Sequence, residues 1–594
     1  MKKHFFEINR WTLFSVFGLS IFVKCVLFHY FCFNYVAVSS LWNAPHDFFS
    51  FYVAKLLPAV SIASFVFVFK RRWWIIVASI IIDLWFTANF IYYRANDLFL
   101  DTETIMIVDN LNGFWSSIVA YLNWKTIAFV VVSVILYVFL VFTKVDSNRN
   151  WKGFAVASIT SLLLFVGDHF AGYSTFKTTL PTNQNGWTYS AFKSARQIAS
   201  GNYFFNNFVF RQWFESQTPL HFFPAFLYKQ ICDSFYAPKE LALSEDDKNK
   251  IEEFVNRSAL DNNTVTQNLI IILGESFESW TYSMKDNNNL EVTPNMNALR
   301  KQDNSLYADK IRSQVRRGNS GDGQMIINTG LLPLESGAAC MLYGENVFPN
   351  YAHKYETSAI VNPVSGIWNQ KVTTYSYGYK NLEELSNPTD KWNWIEDDET
   401  MQFAVQHCKS LNQPFGTMII TVSTHSPFSS PRKSHLSFRD GTPQIVQDYL
   451  NCMHYADSCV GVFLNELAKD SLLHNTTVVI TGDHTIFRSN LLAEMQPAIE
   501  KYGLPIAKDE TFCPLIILSP TITKHTEIDT LCFQMDIYPT ILHCLGINDY
   551  YWKGFGVNLL DSAALQNRKI SEEEAFKLSN LIIRSNYFKN YSQN

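Results

Sequence analysis

A chain of 594 residues is too long for one compact core, so two or more domains are expected. Its net charge of −5 gives no reason to expect nucleic-acid binding. Aromatic residues reach 15% and concentrate early among long apolar runs, which points to a membrane part.

Five apolar segments come first: 11–33, 48–69, 73–93, 126–142 and 154–173, the last interrupted by Asp168 and His169. The first is too long for a signal-peptide core and lacks a small-residue cleavage site, so it reads as a retained span. Lys2, Lys3 and Arg10 precede span one. Lys70, Arg71 and Arg72 join spans two and three, and Lys144, Arg149 and Lys152 join spans four and five. If each segment crosses once, all three clusters share one side, which the positive-inside rule makes cytoplasmic. Five crossings then leave everything after about residue 173 outside. Lys24 and Asp83 lie inside spans, where they are expected to pair or to face the bundle interior. Of ten cysteines, Cys25 and Cys32 lie in span one. The other eight fall on the side where disulfides form, and no spacing suggests a zinc cluster.

Residues 94–122 read as an outer loop lying along the interface, and residues 174–265 as a connector. "LSEDDKNKIEEFV" within the connector reads as a helix capped by Ser244. Beyond residue 266 short β-branched runs alternate with amphipathic stretches. "NLIIILGES", "GTMIITVSTH", "TTVVITGDH" and "CPLIILSP" fit strands buried on both faces. The alternation predicts an α/β domain with a mainly parallel sheet. "SEEEAFKLSNLIIRSNYF" reads as a terminal helix. The expected division is a five-span transmembrane domain (1–173), a connector (174–265), a catalytic domain (266–565) and a helical tail (566–594).

Ligands of open α/β sheets bind beyond the carboxyl ends of strands. Three predicted strands end in capable residues: Glu275, the pair Asp483–His484, and His425. Two carboxylates and an imidazole converging at one edge suit a divalent metal. "GNSGDGQMIINTG" reads as a loop turning into a helix, with Asn319 or Ser320 as cap and Asp322 in the first turn. Ser320 then sits where helix amides favour an anion, and a metal touching its hydroxyl would make it a usable nucleophile. On local features alone, a glycine-rich turn with a capping serine is an equal reading.

The ordered stretches "GESFESW", "TPNMNAL", "RGNSGDGQMIINTGLLPL", "GIWNQ", "TVSTHSPF", "DYLNCMHYADSCVGVFLNEL", "VVITGDH" and "QMDIYPTILHCLGI" resemble the lipoteichoic acid synthase and phosphoglycerol transferase family of the alkaline phosphatase/sulfatase superfamily. The N-terminus, with "IYYRANDLF", looks similar too. The resemblance implies that Glu275, Ser320, Asp483 and His484 hold one divalent metal, with Ser320 the nucleophile. It implies that His425 binds the substrate phosphate or serves the leaving and entering oxygens, and that Trp368 lines the head-group pocket. The family's polymerases carry Trp-Asn-Arg where this chain has Trp368-Asn369-Gln370. Their preceding histidine and carboxylate fall on Val361 and Pro363. Arg316 and Arg317 are candidates for the missing positive charge. A sulfatase would need a C/S-x-P-x-R context, which Ser320 lacks.

The expected activity is two-step transfer of a phosphoglycerol-type head group from a phospholipid donor to a glycan or glycolipid acceptor, through a phosphoseryl intermediate. Phosphoethanolamine transfer by the same chemistry, a phosphodiesterase and a non-catalytic glycan-binding membrane protein are the alternatives. The imidazole favours manganese or zinc over magnesium. The resemblance implies a multi-pass protein of the bacterial plasma membrane with an extracytoplasmic catalytic domain.

Overall fold

The computed structural model describes residues 6–33, 45–96, 99–100, 119, 122–145, 148–179, 218–221, 241, 243–256, 264–334, 337–364, 367–385, 394–487 and 489–590. Most of the predicted interfacial loop and of the connector, and Cys232, lie outside these residues. The described residues form two compact units, one before residue 238 and one from residue 239 on.

The first unit is helical: α1 (Arg10–Phe33), α2 (Pro45–Ala63), α3 (Trp73–Asn96), α4 (Trp124–Phe142) and α5 (Trp151–Thr179). Each predicted apolar segment is a helix. Three of them, Arg10–Phe33, Trp73–Arg94 and Trp124–Phe142, are long and apolar enough to cross a membrane; Phe51–Phe67 and Trp151–Val166 are shorter apolar stretches. A count of five crossings therefore exceeds what length and composition alone establish. Contacts at one end tie the segments together. Strand β1 (Phe6–Ile8) pairs in parallel with β2 (Thr143–Val145). Arg10 donates to the carbonyls of Val66 and Phe69, Arg72 to those of Leu140 and Thr143, and the Asn150 amide to Phe67. The start of α1, the end of α2, the start of α3, the end of α4 and the start of α5 thus meet, as an up-and-down bundle requires. Leu84, Ile135 and Leu163 are each about two-thirds exposed on the outer faces, which suits a lipid-facing surface. Inside, Lys24 pairs with Asp83 at 2.5 Å, and Ser133 bridges both. That arrangement joins α1, α3 and α4 and answers the expectation of pairing.

The second unit is an α/β fold around one sheet of nine strands. They are β3 (Asn268–Gly274), β4 (Ser305–Arg312), β5 (Thr357–Asn362), β6 (Asn381–Glu384), β7 (Phe415–Ile420), β8 (Thr476–Gly482), β9 (Cys513–Leu518), β10 (Thr526–Ile528) and β11 (Cys532–Phe533). Their order is β10-β4-β9-β8-β3-β7-β5-β6, with β11 also on β4. The sheet is mixed, which corrects the mainly parallel reading: β9 runs antiparallel to both β4 and β8. "CPLIIL" is buried throughout, and such a run carries no mark of direction. In β3, Leu269, Ile271 and Leu273 face one core and Ile270 and Ile272 the other, as a period of two dictates.

Ser244 caps α6 (Glu245–Glu252), accepting from the Asp247 amide, as predicted. The terminal helix α9 (Glu572–Ser585) is capped by Ser571 and buries Ala575, Leu578, Ile582 and Ile583 in the same core as the sheet. The nine described cysteines are all buried free thiols, so no disulfide forms among them.

Candidate active site

Strand register builds the site. In the parallel pair β3–β8, Gly274 stands opposite Gly482, so the next residues, Glu275 and Asp483, leave the sheet side by side. On the other flank of β3, Leu273 stands opposite Ile420 of β7. The Glu275 amide then donates to the Thr421 hydroxyl at 3.0 Å, and the Thr424 hydroxyl to the Glu275 carbonyl. Ser276, at φ 53, lies in the left-handed region. Its amide donates to Asp483 Oδ1 at 2.8 Å and its hydroxyl to Glu275 Oε1 at 2.8 Å. A strained non-glycine residue here is held by bonds on both sides.

Ser320 arrives on α7 (Asn319–Thr329), which ends at Gly330 with φ 67, a left-handed cap that glycine adopts without penalty. Neither Asn319 nor Ser320 caps the helix, contrary to expectation. Asp322 folds back instead and accepts from the Arg316 and Gly318 amides, each at 2.9 Å. That leaves the Ser320 hydroxyl for the site. It donates to Glu275 Oε2 at 3.2 Å and lies 3.4 Å from His484 Nε2. The helix comes this close because position 323 is glycine: a Cβ there would lie 2.4 Å from the Asp483 carbonyl oxygen. Gly323→Ala is therefore expected to push α7 back, costing about 1–3 kcal/mol and slowing any Ser320 chemistry on the order of a hundredfold. Thermal unfolding and turnover of the full-length variant check this, and wild-type turnover would show that the close approach is dispensable.

Glu275, Asp483 and His484 are all buried, and one ligand atom from each lies within 4.8 Å of the others. His484 Nε2 is 3.6 Å from Glu275 Oε1 and 3.7 Å from Asp483 Oδ2. Its Nδ1 faces the Thr485 carbonyl at 3.2 Å, which places the ring proton on Nδ1 and turns the basic nitrogen toward the carboxylates. Burial, and then the neighbouring Asp483, push the Glu275 carboxyl up to about 8. A buried glutamate that resists ionisation beside a second buried acidic side chain, with an imidazole lone pair and a hydroxyl next to them, has the donor chemistry of a divalent cation site.

His425 is half-buried on the loop after β7. Its Nδ1 faces the Ser426 carbonyl at 2.6 Å, and its ring lies 5.7 Å from that of Trp394. Burial lowers its pKa, partly offset by the Ser426 carbonyl and Asp483. Trp368 packs against Gly321, one residue from Ser320: a Cβ on Gly321 would lie 3.2 Å from the indole. Trp368 and Asn369 both have φ 55, the Asn369 side-chain Nδ2 donating to the Cys340 carbonyl at 2.9 Å. Gln370 is buried and donates to Gln324 of α7. Val361 lies within β5, buried. The Arg316 guanidinium stacks 3.8 Å over Phe576 of α9, and Arg317 is 2% exposed.

Sequence reasoning gave Thr421 and Ser276 no role although both lie inside quoted motifs, placed Asp322 only in the first turn of α7, and missed Trp394. The tryptophan precedes the acidic start of a helix, and only the sheet topology brings it to His425.

A family model described as sulfatase matches residues 267–547, and one described as lipoteichoic acid synthase N-terminal domain matches residues 1–185. The lipoteichoic acid synthase-like protein YvgJ of Bacillus subtilis is 26% identical over 316 residues, 50% of each chain. The match thus spans about half the length of that relative. A lipoteichoic acid synthase of Staphylococcus saprophyticus is 23% identical over 522 residues, 83% of this chain and 75% of the relative. Among solved structures, the lipoteichoic acid synthase LtaP of Listeria monocytogenes superposes with a TM-score of 0.47 at 19% identity, covering 59% of this chain and 99% of that one.

Proposed function

We propose that the chain, which is similar to lipoteichoic acid synthases in its N-terminal region and carries a sulfatase-like head, transfers a phosphoglycerol-type head group from a membrane phospholipid to an extracytoplasmic glycan or glycolipid hydroxyl. The observation that carries the reading is the Ser320 hydroxyl set against Glu275 and His484 at the carboxyl edge of the sheet. Glu275, Asp483, His484 and Ser320 would hold one divalent ion, manganese or zinc suiting the imidazole better than magnesium. Such an ion supplies Lewis acidity, lowering the pKa of a serine hydroxyl and offsetting charge on phosphoryl oxygens.

The residues divide the work. The Ser320 oxygen, its proton already lost to solvent, attacks the donor phosphorus and the bond to the diacylglycerol oxygen breaks; the same deprotonated oxygen is what the second step releases. The leaving oxygen takes a proton from His425, so diacylglycerol departs neutral and stays in the bilayer. The head group remains as a phosphodiester on Ser320. The acceptor hydroxyl then attacks, giving its proton to His425, and Ser320 is released. Burial favours the neutral form of His425, the form that takes the acceptor's proton. Trp368 beside Gly321 forms a wall of the head-group pocket. Gln370, which stands where the polymerases carry arginine, is buried against Gln324, and stacking of Arg316 on Phe576 argues against its serving as the phosphate clamp.

The N-terminal unit tethers this chemistry to its lipid. Five crossings with the basic end of the bundle in the cytoplasm account for the meeting of helix ends at Arg10, Arg72 and Asn150. The head, from residue 239 on, then lies outside the plasma membrane.

The head group is decided by mass. Incubation of the full-length protein with phosphatidylglycerol and, separately, phosphatidylethanolamine is expected to leave a glycerophosphoryl adduct on the Ser320 peptide from the first donor only. A phosphoethanolamine adduct alone would replace the reading with its nearest rival. Neither adduct, with water-dependent release of head group, would make the protein a phosphodiesterase.

A further inference from the structure

The segment from Trp394 to Asp397 takes no part in the steps above, yet it wraps the loop that carries His425. Trp394 lies with its ring centroid 5.7 Å from the imidazole at an interplanar angle of 48°. Its indole N–H donates to Glu396 Oε1 at 3.3 Å. The other Glu396 oxygen accepts from the hydroxyls of Ser423 at 2.9 Å and Ser430 at 2.6 Å, two residues before His425 and five after it. Asp397, at the start of α8 (Asp397–Ser410), accepts from the Val422 and Ser423 amides at 2.8 and 3.2 Å. One carboxylate thus ties the indole to both flanks of the histidine loop, and its neighbour fixes the backbone that enters the loop.

The loop needs such ties. Phe428, three residues after His425, sits at φ 63, a conformation that bulky side chains rarely adopt. A strained turn keeps one geometry only where surrounding bonds over-determine it. On the loop's own side, Nδ1 of His425 meets the Ser426 carbonyl, which sets the tautomer and leaves Nε2 as the basic nitrogen. That bond does not by itself stop the ring from tilting. The indole, at 5.7 Å and 48° to the imidazole, limits the tilt.

We propose that Trp394, tethered by Glu396, is a positioning residue that holds the His425 imidazole in the orientation from which it exchanges a proton with the leaving and entering oxygens. The proposal rests on the role given above to His425. It requires that losses at Trp394 appear in the chemical step and act through the histidine.

The test uses the full-length protein with phosphatidylglycerol as donor. Trp394→Ala is expected to lower kcat on the order of tenfold to a hundredfold, as small misplacements of a reacting group do, with KM for the donor changed less than about twofold. Trp394→Phe keeps a ring against His425 and is expected to recover most of kcat. Glu396→Gln, which keeps the shape and weakens the tether, is expected to fall between them, and it keeps the test open should Trp394→Ala fold poorly. In the His425→Ala background, Trp394→Ala is expected to add no further loss. Wild-type kcat in Trp394→Ala, a loss confined to KM, or fully additive losses in the double variant would each overturn the proposal. Wild-type turnover in His425→Ala would instead remove the proton role of His425, a failure of the mechanism that the single variant exposes separately.

Discussion

Replacing Ser320 by alanine is expected to reduce head-group transfer on the order of 10⁴-fold or more and to abolish the covalent adduct. A second hydroxyl makes this a discriminating test. Ser276 also donates to the Glu275 carboxylate, at 2.8 Å, closer than Ser320 at 3.2 Å. Ser276, however, is fully buried at the end of β3, whereas Ser320 is half-buried at the start of α7 and within reach of an incoming phosphoryl group. Ser276→Ala is therefore expected to lose a contact of the Glu275 carboxylate, with turnover reduced about tenfold and the adduct still formed. Ser320→Thr keeps a hydroxyl and is expected to retain measurable transfer. Ser320→Cys substitutes a soft sulfur beside two carboxylates and is expected to retain less. Turnover and mass of the 315–330 peptide decide the matter: an adduct that survives Ser320→Ala and vanishes in Ser276→Ala would exchange the two assignments.

The strands that carry the site were legible because a buried strand is written as an unbroken apolar run, and a chemically capable residue at the end of such a run stands out. Glu275, Asp483 and His425 were found that way. Their convergence was a guess until the register put Gly274 opposite Gly482 and Leu273 opposite Ile420. Direction along the sheet was not legible: "CPLIIL" reads the same whether parallel or reversed, and β9 is reversed. Nor was the true cap of α7. Asn319 and Ser320 have the right chemistry, but the N-cap is Gly318 without a side-chain cap bond, and Asp322 reaches back to the Gly318 amide. Trp394 and Glu396 lay beyond any local pattern, since their partners Ser423, His425 and Ser430 are about thirty residues away.

Glu275→Gln is expected to weaken divalent-metal binding by more than the roughly 10–100-fold that loss of an outer partner costs, and to flatten the pH dependence of that binding. The sign follows from Glu275. Burial first, then Asp483, raise its carboxyl from 4.5 to about 8 in the metal-free fold. A carboxyl raised by folding keeps its proton in the native state at pH values where the unfolded chain has released it. Its contribution to stability is complete below about 4.5 and is lost as pH rises through about 8. The metal-free wild-type chain should therefore lose Tm between those limits relative to Glu275→Gln, whose amide does not titrate. Binding of a cation requires the ionised carboxylate and releases that proton, so affinity rises with pH across the same window and levels above it. Unfolding of full-length wild type and Glu275→Gln with chelator, and with saturating Mn²⁺, Zn²⁺ or Mg²⁺, measures both effects. The expected result is a metal-induced rise in wild-type Tm that is larger at pH 8 than at pH 5.5 and small at both in the variant. A rise of equal size at the two pH values in wild type, or one that survives intact in Glu275→Gln, would mean that the cation is held elsewhere than between Glu275, Asp483 and His484.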